Sequence, residues 1–197
     1  MSHSLTNEFV SALERLAMAA GERVANPPAG QGQDDTSRRV SGTARAELAR
    51  LKRGAGHPLA ECRETLGLFY RLLPPPLHGR EDREEDYFLL ATLFPQAPQR
   101  GTGNLGRSLW AVVEREPQAK EGIERRLRVL LDCSRDLLPF RLRQAVRFLA
   151  SHEASIDWRV LLEDIGQWTR DDRRVQKAWA RAFYGSEAQA TATAAEE

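Results

Sequence analysis

Residues 87–94 are Tyr-Phe-Leu-Leu-Ala-Thr-Leu-Phe, an apolar stretch that follows the acidic run REDREED at residues 80–86. Acidic side chains favour the N-terminus of a helix because they oppose the positive end of its dipole. The stretch after them would be apolar on nearly every side of a helix, which is typical of a helix surrounded by other elements. The sequence therefore predicts a buried central helix that begins in the acidic run.

Apolar residues recur at helical spacing on both sides of this segment, as in the stripe Leu138, Leu142 and Val146. The alternation that is typical of strands is almost absent. Prolines and glycines separate the periodic segments and indicate loops. These patterns predict an all-α fold, a compact helical bundle of about eight or nine helices in two small helical subdomains.

The boundary between the two subdomains is expected at Pro117. This divides an N-terminal helical region, residues 1–117, from a C-terminal helical bundle, residues 118–185. Residues 186–197 hold no large apolar side chain, so they are expected to form a disordered tail.

The charge of the chain is nearly balanced, with 29 Lys and Arg against 28 Asp and Glu, a net charge of +1. That total alone is not typical of a nucleic-acid-binding domain. The basic residues are segregated, however, into residues 38–53, 125–147 and 170–181. Nearly all of them are Arg, whose planar fork of donors suits phosphate. Each segment is explained by an ordinary solvated helix face, on which Arg stems cover apolar surface. The occurrence of three such segments raises the alternative of a phosphate-binding surface.

One motif suggests nucleotide chemistry, the sequence GTGNLG at residues 101–106. The dinucleotide fingerprint requires a preceding strand within a βαβ unit, and no parallel sheet is predicted. We therefore expect a loop in which Asn104 caps the helix that carries Arg107.

No other pattern indicates catalysis or a cofactor. The four histidines are scattered, and the two cysteines, Cys62 and Cys133, are far apart, so no metal site and no disulfide framework is predicted. The helical register of Trp158, Trp168 and Trp179 favours core packing over base stacking. We expect no catalytic residues and no cofactor.

The N-terminus lacks the basic and apolar regions of a signal peptide, and no segment reaches the roughly 18 apolar residues of a membrane helix. The expectation is a reduced, cytoplasmic protein with no membrane contact.

Several segments, in their order and spacing from about residue 36 to 185, together resemble one family. The family is CasB, the small subunit of the Cascade surveillance complex in type I-E CRISPR systems. The segments are RRVS at 38–41, FYRL at 69–72, NLGRSL at 104–109, ERRL at 124–127, LR at 142–143, IDW at 156–158, QW at 167–168 and WARAFYG at 179–185. Residues 1–35, residues 186–197 and the REDREED run match no motif of that family.

The resemblance implies an all-helical protein without catalytic activity that acts in antiviral defence. CasB-like subunits pair with a second copy, so a homodimer within the complex is expected. The implied partners are the guide CRISPR RNA, the target and displaced DNA, and the large and backbone subunits of Cascade. The implied role is to hold the R-loop through sequence-independent contacts with nucleic-acid backbones.

The candidate nucleic-acid-binding residues fall into two sets. Those at basic positions of the family are Arg38, Arg39, Arg107, Arg125, Arg126, Arg135 and Arg143. Those proposed from charge clustering alone are Arg45, Arg141, Arg173, Arg174 and Lys177. The alternative hypothesis is a protein–protein assembly adaptor, whose Arg faces meet acidic surfaces of neighbouring subunits without touching nucleic acid.

Overall fold

The structure is a computed structural model that describes the backbone of residues 2–21 and 35–195 and the side chains of residues 3–21 and 39–186. It contains two units, Met1–Arg100 and Gly101–Glu197. Within the described ranges there are nine α-helices, joined in part by short 3-10 turns, and no β-strand. The all-α prediction is confirmed.

The first unit is built around its fourth helix. Its helices are α1 (Ser2–Ala19), α2 (Asp35–Arg53), α3 (Arg63–Leu72) and α4 (Glu81–Leu93). Every residue of α4 from Asp86 to Leu93 is buried, and α2 packs against it. The prediction of a buried central helix that begins in the acidic run is confirmed, because only a helix with neighbours on all sides can bury a stretch that is apolar all round.

Aromatic rings fix the neighbours of α4. The ring of Phe9 from α1 meets Tyr87 edge-on at a centroid distance of 4.9 Å. Phe69 from α3 meets Phe88 in the same way at 5.3 Å. Edge-to-face pairs of this kind add about 0.5–1.5 kcal/mol each beyond the burial of their area. Three helices of the first unit are thereby held in one aromatic core.

The acidic run has a structural role that the sequence did not reveal. The Glu84 side chain is buried and accepts hydrogen bonds from the Gly79 backbone N–H at 2.6 Å and from the Tyr70 hydroxyl at 2.8 Å. Glu85 accepts from the Leu59 backbone N–H at 3.3 Å. Two carboxylates of the run therefore tie α4 to the chain segments that precede it.

The second unit contains the remaining helices, α5 (Leu105–Arg115), α6 (Lys120–Leu131), α7 (Leu138–Ser151), α8 (Trp158–Ile165) and α9 (Arg174–Ala195). Its boundary lies between Arg100 and Gly101, whereas the sequence analysis placed the boundary at Pro117. The difference has a physical reason. Helix α5 precedes Pro117 in the chain but packs along α9, so it belongs with the C-terminal helices.

Glycine 106 allows that packing to be close. A Cβ built on Gly106 would overlap the backbone of Trp179 and lie 2.8 Å from its carbonyl carbon. Two residues of the GTGNLG segment thus have structural roles: Gly106 permits close helix packing, and Asn104 caps the start of α5. The Asn104 side chain accepts from the Arg107 backbone N–H at 3.2 Å, so Asn104 is the predicted N-cap.

The tryptophans pack in the core, as predicted, since Trp158, Trp168 and Trp179 are all buried. The rings of Trp168 and Trp179 lie 5.2 Å apart. The Trp179 indole N–H donates to Asp164 Oδ2 at 2.6 Å. Burial raises the pKa of the Asp164 carboxyl to about 6, and the hydrogen bond from Trp179 opposes that rise only in part.

Helix α9 extends to Ala195, whereas the sequence analysis expected a disordered tail from residue 186 onwards. The composition of residues 186–197 accounts for the difference, because alanine is the strongest helix former and glutamate and glutamine are also favourable. None of the helices in the described ranges has the length and apolarity that a membrane span requires.

We predict that Gly106→Ala destabilises the protein by about 1–3 kcal/mol, the usual cost of overpacking a filled contact. The matched control is Gly122→Ala in α6, where a new Cβ meets nothing within 4 Å and should stabilise the helix by about 0.5–1 kcal/mol. Urea unfolding followed by circular dichroism measures both changes. A Gly106→Ala protein as stable as the wild type would contradict the close packing of α5 on α9.

We predict that Asp164→Asn removes a pH-dependent loss of stability. An acid with a raised pKa in the folded state contributes stability that is fully present below its unfolded pKa, 3.8 here, and is lost as the pH rises through about 6. The asparagine keeps an acceptor for the Trp179 indole N–H and carries no charge. The variant should therefore exceed the wild type by up to about 3 kcal/mol at neutral pH.

Unfolding free energies measured from pH 4 to pH 7.5 test this expectation. The difference between the Asp164→Asn protein and the wild type should grow with pH. Curves that run parallel across that interval would show that ionisation of Asp164 has no influence on the fold.

Candidate nucleic-acid interface

Helices α6 and α7 of the second unit enclose a groove with a volume of about 320 Å³. Its charged side chains are Arg125, Arg126 and Arg141, and no carboxylate of the described residues lines it. The remaining lining, called the groove floor below, consists of Gly122, Val129, Leu130, Gln144 and Ala145. We call the whole feature the α6–α7 groove. It brings three of the predicted binding residues together.

The helical repeat places these side chains. On α6, Ile123, Leu127 and Leu130 are buried, so Arg125 and Arg126 are carried to the exposed side. On α7 the buried stripe is Leu138, Leu142 and Val146, as predicted. Arg141 precedes the buried Leu142, and adjacent residues of a helix are separated by a rotation of about 100°. Its side chain is therefore turned away from the stripe, and it lines the groove.

Arg126 is the most available of the three guanidinium groups. It lies over the ring of Phe148, 4.8 Å from the centroid, and within the described ranges it has no carboxylate partner. Arg125 forms an ion pair with Glu121 at 3.4 Å, in which both side chains are largely exposed. Exposed pairs of this kind contribute about 0–1 kcal/mol, so Arg125 can exchange Glu121 for a phosphate at little cost.

Arg141 is held in place by its neighbours. Its Nη1 donates to Gln144 Oε1 at 3.3 Å, and its guanidinium lies 5.5 Å from the centroid of the Phe140 ring. Its Nε is buried and has no hydrogen-bond partner among the described residues. The positive charge of Arg141 is thus oriented without being neutralised.

A second cleft of about 440 Å³ brings together Arg135, Arg170 and Arg173. Its charge is largely compensated. Arg173 donates to the Leu131 carbonyl at 2.6 Å and lies 3.8 Å from Asp132, and Arg170 pairs with Asp172 at 3.2 Å. Asp132 also lines this cleft. It is therefore a weaker candidate for phosphate than the α6–α7 groove.

Other predicted residues lie elsewhere on the second unit. Arg107 donates to Glu114 at 2.9 Å and to Ser186 at 3.4 Å, so its charge is already paired. Arg143 is half-buried on α7, and Arg174 and Lys177 are exposed on α9. These three do not line either cavity.

The remaining predicted residues belong to the first unit. Arg39 is exposed on α2, whereas the Arg38 side chain lies outside the described residues. Arg45 donates from Nε to the Ala20 carbonyl at 2.9 Å. It therefore ties α2 to the end of α1, which is a structural role that charge clustering could not distinguish from phosphate binding.

Three residues of the groove region were missed in the sequence analysis, Gly122, Gln144 and Phe140. The ring of Phe140 is 51% exposed beside Arg141. A signal for it exists in the sequence, because Phe140 lies two residues from both Leu138 and Leu142 and so falls opposite the buried stripe. The open side of Gly122 has no such signal.

The described residues contain no group of three or more His, Cys, Asp or Glu side chains that could hold a metal ion. Both cysteines are free thiols, and burial raises the pKa of each. The chemistry that the groove offers is electrostatic attraction and hydrogen bonding by guanidinium groups.

Known proteins resemble this chain in sequence. The family model of CRISPR-associated protein Cse2 matches residues 47–184. The chain is 37% identical over 107 residues to a CRISPR-associated protein Cse2 of Thermus thermophilus, a match that covers 54% of this chain and 60% of that relative. The chain therefore spans less than two thirds of that relative's length.

Solved structures match over a longer range. The crystal structure of CasB from Thermus thermophilus has a TM-score of 0.67 at 27% identity and covers 91% of this chain and 97% of that one. A chain of a CRISPR RNA-guided surveillance complex has a TM-score of 0.68 at 22% identity, covers 94% of this chain and 99% of that one, and shows the shared fold.

The matched residues 47–184 contain helices α3 to α8 in full and both arginine-lined cavities described above. The resemblance to CasB that the sequence motifs carry is thus confirmed by independent comparisons of sequence and of fold. The chain belongs to the Cse2 family of CRISPR-associated proteins, also called CasB.

Proposed function

We propose that this chain is a non-catalytic small subunit of a CRISPR RNA-guided surveillance complex, Cascade, and that it binds nucleic-acid backbones without reading their sequence. The observation that carries the proposal is the α6–α7 groove, in which three guanidinium groups meet and to which the described residues contribute no carboxylate. A polyanion entering such a groove releases its condensed counterions, which favours binding. In antiviral defence the strands bound would be those of the R-loop.

Contacts that contribute little binding free energy are sufficient to stabilise the R-loop. The heteroduplex of guide RNA and target DNA is about as stable as the DNA duplex that it replaces, so the exchange is nearly balanced. A few phosphate contacts to the displaced strand therefore shift the equilibrium towards the open R-loop. The small net charge of the chain, +1, suits a subunit that binds weakly alone and acts within an assembly. Its further partners there would be the large subunit, the backbone subunits and a second copy.

The contacts of the candidate residues support a ranking among them. Arg126 and Arg141 lie in the groove without a carboxylate partner among the described residues, and we assign them the principal phosphate contacts. Arg125 contributes by exchanging Glu121. Arg107 and Arg45 are engaged within the protein, so we expect smaller contributions from them.

The alternative is an assembly adaptor, and one observation favours it. Leu137, which caps α7, and Phe140, in its first turn, are each 51% exposed, and exposed apolar side chains are typical of contacts between proteins. In this alternative the neighbouring arginines would bind an acidic surface of another subunit. The two hypotheses differ in whether the free chain binds nucleic acid.

We predict that the double variant Arg126→Ala/Arg141→Ala weakens binding to single-stranded DNA equally for different base sequences. For every phosphate that the protein no longer binds, the slope of log affinity against log salt should become shallower by about 0.7. The matched control is Arg128→Ala, which removes a charge from the same helix but one already paired with Glu124. Fluorescence anisotropy over a salt series measures the slopes.

The control should change the slope by less than half as much as the double variant. The proposal fails if wild-type affinity for single-stranded DNA does not vary with salt. It also fails if the double variant keeps the wild-type slope.

We predict that Arg126→Glu leaves assembly of the reconstituted surveillance complex intact and shortens its lifetime on target DNA. The reversal places a carboxylate against the strand and repels it, while the apolar contacts of α6 are unchanged. Size-exclusion chromatography measures assembly, and dissociation from labelled target DNA measures the lifetime. Loss of assembly would favour the adaptor, because the arginine would then be required for a contact with another subunit.

A further inference from the structure

We propose that the α6–α7 groove, together with the exposed ring of Phe140, receives one unpaired base of a nucleic-acid strand, while Arg126 and Arg141 bind the phosphates on either side of it. The proposal rests on the proposed backbone binding and deepens it. It predicts that the chain distinguishes strands with accessible bases from bare phosphate chains and from duplexes. Base identity is not expected to matter.

The groove has features that phosphate binding alone does not require, namely its volume, its apolar floor and an amide side chain. Its volume of about 320 Å³ is at the lower end of the roughly 300–1,000 Å³ that small-molecule sites span. Its floor is apolar at Val129, Leu130 and Ala145, and the amide of Gln144 offers both a donor and an acceptor. A phosphate gains nothing from an apolar floor. A base, with apolar faces and a polar edge, gains from both.

Phe140 provides a surface on which a base can stack. Its ring is half-exposed, and the Arg141 guanidinium lies over it at 5.5 Å from the centroid. Unpaired bases stack on aromatic rings and on guanidinium planes alike. Arg141 lines the groove, so the Phe140 ring beside it lies next to the groove, within reach of a strand bound to Arg126.

Gly122 keeps the groove open. It lies within α6, where glycine is a poorer helix former than alanine. A Cβ at this position would meet nothing within 4 Å, so the packing of the protein does not require a glycine here. The missing side chain leaves space in the groove, whose lining also includes Arg125 and Arg126 of α6 and Gln144 of α7.

The charge of the lining selects a polyanion over a protein segment as the occupant. The arginines of the groove face no carboxylate among its described lining residues, and Arg126 and Arg141 each already lie over an aromatic ring. Alternating rings and cations match the alternating bases and phosphates of a single strand. An acidic peptide would satisfy the charges but would leave the Phe140 ring without a planar partner.

The test compares a labelled oligothymidylate with an abasic oligomer of equal length and charge. Both are bound to the full-length chain at low salt, and affinity is measured by fluorescence anisotropy. We expect the wild type to prefer the oligothymidylate by about 5-fold or more, since stacking of one base on an aromatic ring has at least that effect. Phe140→Leu should abolish the preference by lowering affinity for the oligothymidylate alone, and Phe140→Trp should retain it.

A second variant tests the groove without changing a charge or an aromatic ring. Gly122→Leu fills the space beside the arginines and should also abolish the preference for the oligothymidylate. The matched control is Gly67→Leu in α3, another helical glycine whose Cβ position is open. Gly67→Leu should leave the preference at its wild-type value, and circular dichroism verifies that both variants fold.

The outcomes separate the two proposals. Equal, salt-dependent affinity of the wild type for both oligomers would overturn the base pocket and leave backbone binding intact. Absence of salt-dependent affinity for either oligomer would overturn backbone binding itself. If Phe140→Leu instead impairs assembly of the surveillance complex while the oligothymidylate preference persists, the face binds a protein and the base pocket is wrong.

Discussion

The close contact between α5 and α9 is the constraint on which the second unit depends. Gly106 lies directly against the backbone of Trp179, a distance that no other residue type permits without displacement. With α9 held there, the Tyr184 hydroxyl donates to Glu124 on α6 at 3.1 Å. Glu124 also accepts from Arg128. The position of α6, and with it one wall of the groove, thus follows from a glycine on another helix.

That arrangement determines which arginines are available. Arg128 is already paired with Glu124, whereas Arg126, two residues earlier on the same helix, lies over Phe148 without a carboxylate partner among the described residues. The difference comes from the helical rotation of about 100° per residue. A segment with seven arginines therefore presents only a few of them to a ligand. The net charge of a segment therefore overestimates the number of arginines that are available to bind a ligand.

The acidic residues are just as selective in their roles. The REDREED run could have been a solvated face or a partner contact, yet the Glu84 carboxylate is buried beneath Tyr70 and holds the loop at Gly79. A buried carboxylate persists because its hydrogen bonds offset the loss of hydration. The run that compensates the basic segments in the total charge is, in part, a structural element of the first unit.

The sequence by itself determined the all-α fold, the buried helix at residues 87–94, the Asn104 cap and the membership of a family, because these depend on local periodicity and on ordered motifs. The three arginines of the candidate site followed as well, since Arg125, Arg126 and Arg141 were named from charge and resemblance. The tertiary structure alone decided that α5 joins the C-terminal helices and that Arg45 and Arg107 are engaged within the protein. It alone decided that Gly122 lines the groove and that the exposed Phe140 ring lies against Arg141. The reason is physical: a side chain's partners lie on other helices, many residues away in the chain, and only packing brings them within hydrogen-bonding distance.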